Sequence, residues 1–221
     1  MRPPPSFAKP SNGSNASDSQ KGTNDVNLKT RVTNILTTPA TEWPVIAGET
    51  TTPMALITGY AALLAAIPAV CGFIGMTIVG MSIPLVGTVR TGVVSGVATA
   101  IVSFVLGLVG VYIMAIIVEK LAPTFQSRGD TTQAMKLVVY ASTPIWVAGV
   151  LQLVPALGVL TVLAGLYGIY LFYLGLPPVM HTPADKVVPY MVVAAIVMIV
   201  LSICFGFVTA AITGVRGSRG F

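Results

Sequence analysis

Four long stretches downstream of Glu49 carry no Asp, Glu, Lys or Arg: Thr50 to Val89, Thr91 to Val118, Leu137 to Ala184 and Val187 to Val215. One ionised side chain at mid-bilayer costs roughly 2.5 to 3.5 kcal/mol even on lenient insertion scales, so such runs persist where lipid is the solvent. Only 9% of the 221 residues are charged, against about 25% in an average soluble domain. The chain therefore reads as an all-α, polytopic membrane protein.

A helix needs about 20 residues to cross roughly 30 Å of hydrocarbon. On that measure the first span is expected at about Met54 to Gly80, closed by the turn at Ser82, Ile83 and Pro84, and the second at about Thr91 to Val118. The run Leu137 to Ala184 is too long for one crossing and must fold back. Its break is expected at Gln152 to Gly158, because Pro155 lacks an amide donor and clashes with the preceding turn. That places a third span at about Ala134 to Val154, with Lys136 snorkelling to the interface, and a fourth at about Ala156 to Leu176, stopped by Pro177 and Pro178. A fifth follows at about Val187 to Gly214.

The segments outside the spans are short. Residues 1–26, rich in Pro, Ser, Asn and Gly, read as a disordered polar tail, and 215–221 as a short C-terminal tail around the membrane domain 54–214. Between them, 27–53 reads as an amphipathic juxtamembrane segment. Leu28, Val32, Ile35 and Leu36 share one helical face flanked by Lys29 and Arg31, which suits either the headgroup interface or docking on the bundle. Thr38, Pro39 and Gly48 bracket a second short helix, which would put Trp43 at headgroup depth. No short apolar segment follows a basic start in the first 50 residues, so no cleavable signal is expected and the first span would act as its own insertion signal.

Five spans put the termini on opposite sides. With the N-terminus inside, the inner segments hold nine basic residues (Arg2, Lys9, Lys21, Lys29, Arg31, Lys120, Arg128, Lys136, Lys186) and the outer ones three (Arg90, Arg216, Arg219), which favours a cytoplasmic N-terminus. The net charge of +5 is spread along the chain, so it speaks for topology and not for nucleic acid.

Small residues recur at every fourth position: Gly92, Gly96 and Ala100 in the second span, and Ser202, Gly206 and Ala210 in the fifth. Such lines let membrane helices approach closely, and packing within the chain is expected before packing between copies. Pro68 and Pro144 fall inside spans and, with Pro155, are expected helix breaks. Tyr167, Tyr170, Phe172 and Tyr173 read as an interfacial belt.

Catalytic readings fail for want of groups. The spans hold no acid, Cys71 and Cys204 sit in apolar runs, and the single histidine, His181, lies in a loop, so no catalytic site, metal or cofactor is expected. The candidate polar or partner contacts are Lys29, Arg31, Thr143 and Gln152. A carrier should gather Gln152, Thr143, Ser142, Ser95, Thr99 and Ser103 around one cavity. A scaffold should leave them scattered as interhelical hydrogen bonds.

The segments Leu121 to Phe125, Ala134 to Tyr140 leading into Thr143 to Gly149, the turn Val154 to Gly158, Leu166 to Tyr170 and Tyr173 to Pro177 resemble, in order and spacing, the Yip (Ypt-interacting protein) or Yip1 domain family, in particular its bacterial members. The entry segment Ile35 to Pro39, with Trp43 and Glu49 downstream, adds to the resemblance, which runs from about Arg31 to Gly214. It implies a five-span protein with a cytosolic N-terminus, here in a bacterial inner membrane. Eukaryotic members are membrane adaptors that bind small prenylated GTPases; their Asp-Leu-Tyr-Gly-Pro stretch is absent here, so GTPase binding is not carried over. The expectation is a non-enzymatic scaffold or adaptor whose partners are the lipid bilayer and other membrane proteins or a second copy. The alternative is a small channel or carrier for neutral or lipid-like molecules.

Overall fold

The structure, a computed structural model, describes residues 28–83 and 87–213. The expected tails at 1–26 and 215–221 lie outside the described residues. Two short helices lead in, α1 (28–37) and α2 (Pro39–Gly48). Five helices long and apolar enough to cross a membrane follow: Pro53–Val79, Val93–Phe125, Thr131–Leu153, Pro155–Met180 and Ala184–Ile212. The protein is an all-α, five-span membrane bundle.

Local chemistry moves several boundaries. Ser82 and Ile83 of the expected turn lie in a two-stranded antiparallel ribbon, β1 (Met81–Ile83) with β2 (Gly87–Val89), in which Ser82 pairs with Thr88, and Pro84 lies outside the described residues. Gly80 and Gly87 adopt φ of 80° and 94° on either side, a conformation open to glycine at little cost. Pro177 and Pro178 do not stop the fourth span. They sit inside its helix, which runs on to Met180 and ends where His181, at φ 53°, turns left-handed and donates its N–H to Leu176 O. Proline keeps a helical φ, so the chain can run on through the pair at the cost of the two missing donors.

The third span changes pitch twice. An α-helix over Thr131–Ala141 gives way at Ser142 to a second over Thr143–Ala148, with Pro144 near its start, and then to a 3-10 turn over Gly149–Leu153. Val154 is extended, and Pro155 opens the next 3-10 segment, Pro155–Leu160. Pro68 lies within the helix Ala62–Ile74, which is flanked by wide π-helical turns at Ile57–Ala61 and Gly75–Val79.

Burial is concentrated at one end of the bundle. The buried apolar side chains fall at 56–65 in the first span, 111–122 in the second, 134–146 in the third, 171–180 in the fourth and 187–194 in the fifth. Early and late halves alternate because the chain reverses at each connection, so all five stretches meet at the end where α1 and α2 sit. Away from it, Val94, Leu163, Leu166, Ile199 and Phe207 are exposed, as lipid-facing side chains should be. The third span is the least apolar of the five and the most enclosed, so its neighbours shield it from lipid.

Candidate functional site

Charge is scarce in this chain, so the place where it gathers stands out. Arg31 of α1 reaches across to α2, where its guanidinium pairs with both Glu42 and Glu49, and its side chain is only 11% exposed. Asn34 Nδ2 donates to the other Glu42 oxygen at 3.0 Å. Lys136 of the third span lies beneath them, 1% exposed, and its Nζ donates to Glu49 O at 2.6 Å and Ala47 O at 3.4 Å. Gln133 Nε2 also reaches Ala47 O, at 3.2 Å. No basic residue stands in the last turn of α2 itself, so Lys136 supplies the cation that its C-terminal carbonyls favour.

Aromatic packing carries this assembly inward. The Arg31 guanidinium stands 5.8 Å from the centroid of the Tyr140 ring, which meets Tyr60 edge-on at 4.7 Å and Trp43 at 6.5 Å. Tyr60 Oη and Thr143 Oγ1 share a buried hydrogen bond of 2.9 Å. Gly175 lets Trp43 in, because a Cβ there would stand 2.9 Å from the indole ring. From the fourth span Tyr167 Oη donates to Leu36 O at 2.8 Å, tying down the end of α1.

Three expectations are corrected here. Lys136 does not snorkel: it is buried because Glu49 and the end of α2 cover it. Trp43 does not turn outward to headgroups: its side chain is fully buried among Tyr140 and Gly175. Arg31 is no free partner contact, because two carboxylates hold it, whereas Lys29 is exposed. Ile35 is fully buried, so α1 packs on the bundle.

The loops at this end form the rest of the surface. Ser127 Oγ donates to Thr182 Oγ1 at 2.8 Å and Arg128 N to Met180 O at 2.9 Å, joining the second-to-third loop to the fourth-to-fifth loop. Thr131 Oγ1 donates to Glu119 Oε2 at 2.7 Å. Lys120, Gln126, Arg128 and Asp130 remain exposed on this framed loop.

The polar span residues divide. Thr99, Ser103 and Gln152 line one cleft at the far end of the bundle. Ser142 lines a separate cavity of about 100 Å³ between the third, fourth and fifth spans and bonds back to Val138 O. Thr143 is sealed against Tyr60, and Ser95 is exposed.

The small-residue lines fare unevenly. Gly96 meets the first span, since a Cβ there would stand 2.7 Å from Thr77 Oγ1 and 3.0 Å from Phe73, whereas Gly92 faces open space and Ala100 walls the cleft. In the fifth span Ser202, Gly206 and Ala210 are exposed, and nothing lies within 4 Å of a Cβ on Gly206. That line does not pack within the chain, because the fifth span makes its contacts through Val187, Tyr190, Ala194 and, at Gly110, Phe205. The close approaches are elsewhere: a Cβ on Gly75 would fall 1.9 Å from Gln152 O, one on Gly149 2.7 Å from Pro68, and one on Gly168 2.8 Å from Ala141 O.

Glu49, Gly149 and Gly168 enter the sequence reading only through the family resemblance, and Glu42 and Gly75 do not enter it. The signal for the acids was there: two carboxylates seven residues apart, beside an apolar face, in a chain that keeps only seven. Acids retained so close to lipid are expected to be paired. For the glycines no signal existed, since the chain has 22 and proximity alone selects among them.

The family model for the Yip1 domain matches residues 33–205, from within α1 to the second half of the fifth span. The chain belongs to the Yip1 family. This Yip1 chain is 28% identical over 151 residues, 67% of its own length and 77% of the relative's, to the protein named inner membrane protein YohC in Escherichia coli K12, and equally to its counterpart in the O6:H1 strain. No solved structure matches it. The Yip1 match spans both the charged assembly and the cleft. Among the described residues no group of three or more His, Cys, Asp or Glu could hold a metal ion.

Proposed function

We propose that this protein is a non-enzymatic scaffold of a bacterial inner membrane, oriented with its N-terminus in the cytoplasm, that presents the charged end of the bundle to partner membrane proteins. The observation that carries the reading is the partly buried assembly of Arg31, Glu42, Glu49 and Lys136, which holds α1 and α2 as a preformed platform. Ordering a platform before binding removes a conformational cost from association. Lys29, Lys120, Gln126 and Arg128 are then the exposed contacts around it. The basic count of the sequence supports the orientation, and the relative named an inner membrane protein supports the location. The division of the polar span residues among separate environments supports a scaffold over a transport path.

The test is crosslinking in intact membranes followed by mass spectrometry, on the double variant Lys29→Glu and Arg128→Glu. Partner crosslinks to the loop 119–133 should disappear while insertion and the thermal midpoint stay as in the wild type. Crosslinks that survive the double reversal would remove this surface from the scaffold.

A further inference from the structure

The end of the bundle opposite the platform is open, and its cleft has a definite chemistry. It encloses about 490 Å³ between the first span, the second span and the closing 3-10 turn of the third, a volume within the range of small-molecule sites. Phe73, Met76, Phe104 and Trp146 make most of its wall apolar. No ionisable side chain lines it. On its outer side a second, wholly apolar groove of about 360 Å³ shares Ala69, Phe73, Ala100 and Phe104 with it and runs between exposed Val70, Val97 and Ile101. The cleft therefore continues into a surface turned to hydrocarbon.

Two polar groups in this wall lack partners among the described residues. Half-buried Gln152 lines the cleft, and its carboxamide has no hydrogen-bond partner among the described residues, although it offers two donors and an acceptor. Its side chain cannot retreat toward the first span, because its Oε1 already lies against Gly72. The Thr99 hydroxyl is also unpartnered, but it is sealed from the cleft, so Gln152 is the group a ligand can reach. An unpaired polar group inside a membrane domain costs free energy that a ligand with matching groups recovers. A charged headgroup would find no counter-ion among the lining side chains; Arg90, next to the lining Thr91, is exposed and packs on Gly80 outside them.

We propose that this cleft binds a neutral long-chain amphiphile of the acylglycerol type, with its hydroxyl and ester groups at Gln152 and its chain lying along the groove past Phe73 and Phe104. Entry is lateral, from the lipid. The proposal is independent of the platform, which lies at the other end of the bundle.

The full-length protein in nanodiscs would be photolabelled with a diazirine-bearing monoacylglycerol and, in parallel, with a phosphatidylglycerol carrying the same diazirine chain. Peptide mapping should place the monoacylglycerol adducts on Phe73, Phe104 or their neighbours, with much weaker labelling there by the phospholipid. Gln152→Leu should lower that labelling about tenfold, and Ala100→Phe, which fills the passage from cleft to groove, should remove it with the thermal midpoint retained. If Gln152→Leu proves too unstable to purify, Ala100→Phe decides alone. Equal labelling by both probes, or labelling that survives Ala100→Phe, would show ordinary boundary lipid and overturn the proposal.

Discussion

At the residue scale the bundle rests on places where a side chain is missing as much as on those where one is present. Gly75 lies against the backbone of Gln152 so closely that one methyl group cannot be accommodated without moving a span. Gly75→Ala should therefore lower stability by about 1 to 3 kcal/mol, the usual penalty of overpacking, read as a fall in the thermal midpoint in detergent. Gly206→Leu makes the opposite case. Its Cβ position is open, so the midpoint should stay within about 0.5 kcal/mol of the wild type, as for a surface substitution. A large drop for Gly206→Leu would mean that the fifth span packs against something outside this chain. Both residues look alike in the sequence: a small residue in an apolar run. Only the neighbour across the gap separates them.

At the element scale, α1 and α2 are too short to be stable alone and depend on what they dock against. Their apolar face is legible in the order Leu28, Val32, Ile35, Leu36, and so is the helix-starting Pro39. The identity of the docking partner is not, because Arg31 meets acids 11 and 18 residues away and Lys136 meets carbonyls 87 and 89 residues back. Arg31→Met should leave the buried Glu42 without its cation and destabilise the platform by about 1 to 3 kcal/mol, with little added by Glu49, which is 38% exposed and can be solvated. Faster proteolysis between α2 and the first span, with the five spans still inserted, would be the readout. Thr143→Val removes the hydroxyl opposite Tyr60 at the bend of the third span and should cost about 1 to 3 kcal/mol, because a buried phenol is left without its partner. Restoration by Thr143→Ser would separate the lost hydrogen bond from lost packing.

At the scale of the whole molecule, the division into a packed end and an open end governs what the protein can do. The packed end carries every described charge but Arg90, the loops joined through Ser127 and Thr182, and the two docked helices. The open end carries the ribbon and the cleft. Five spans require the termini to lie on opposite faces, so reporter fusions after Gly87 and after Phe221 should both read as external when the N-terminus is cytoplasmic. A cytosolic signal from the C-terminal fusion would overturn that topology.

The sequence by itself determined the solvent of this protein, the number of crossings and their limits to within a few residues, because the exclusion of charge from hydrocarbon acts on each residue separately and leaves its mark in the linear order. It also showed the break at Pro155, where a missing donor coincides with an apolar run too long for one crossing; at Pro68, Pro177 and Pro178 the same missing donor left the helix unbroken. Tertiary structure alone decided which spans share a core, which glycines touch, why Lys136 is buried and where Gln152 points. Those outcomes depend on pairs of groups far apart in the chain, such as Gly75 with Gln152 and Glu49 with Lys136. The energy of such a pair belongs to a distance, and no pattern along one strand of residues records it.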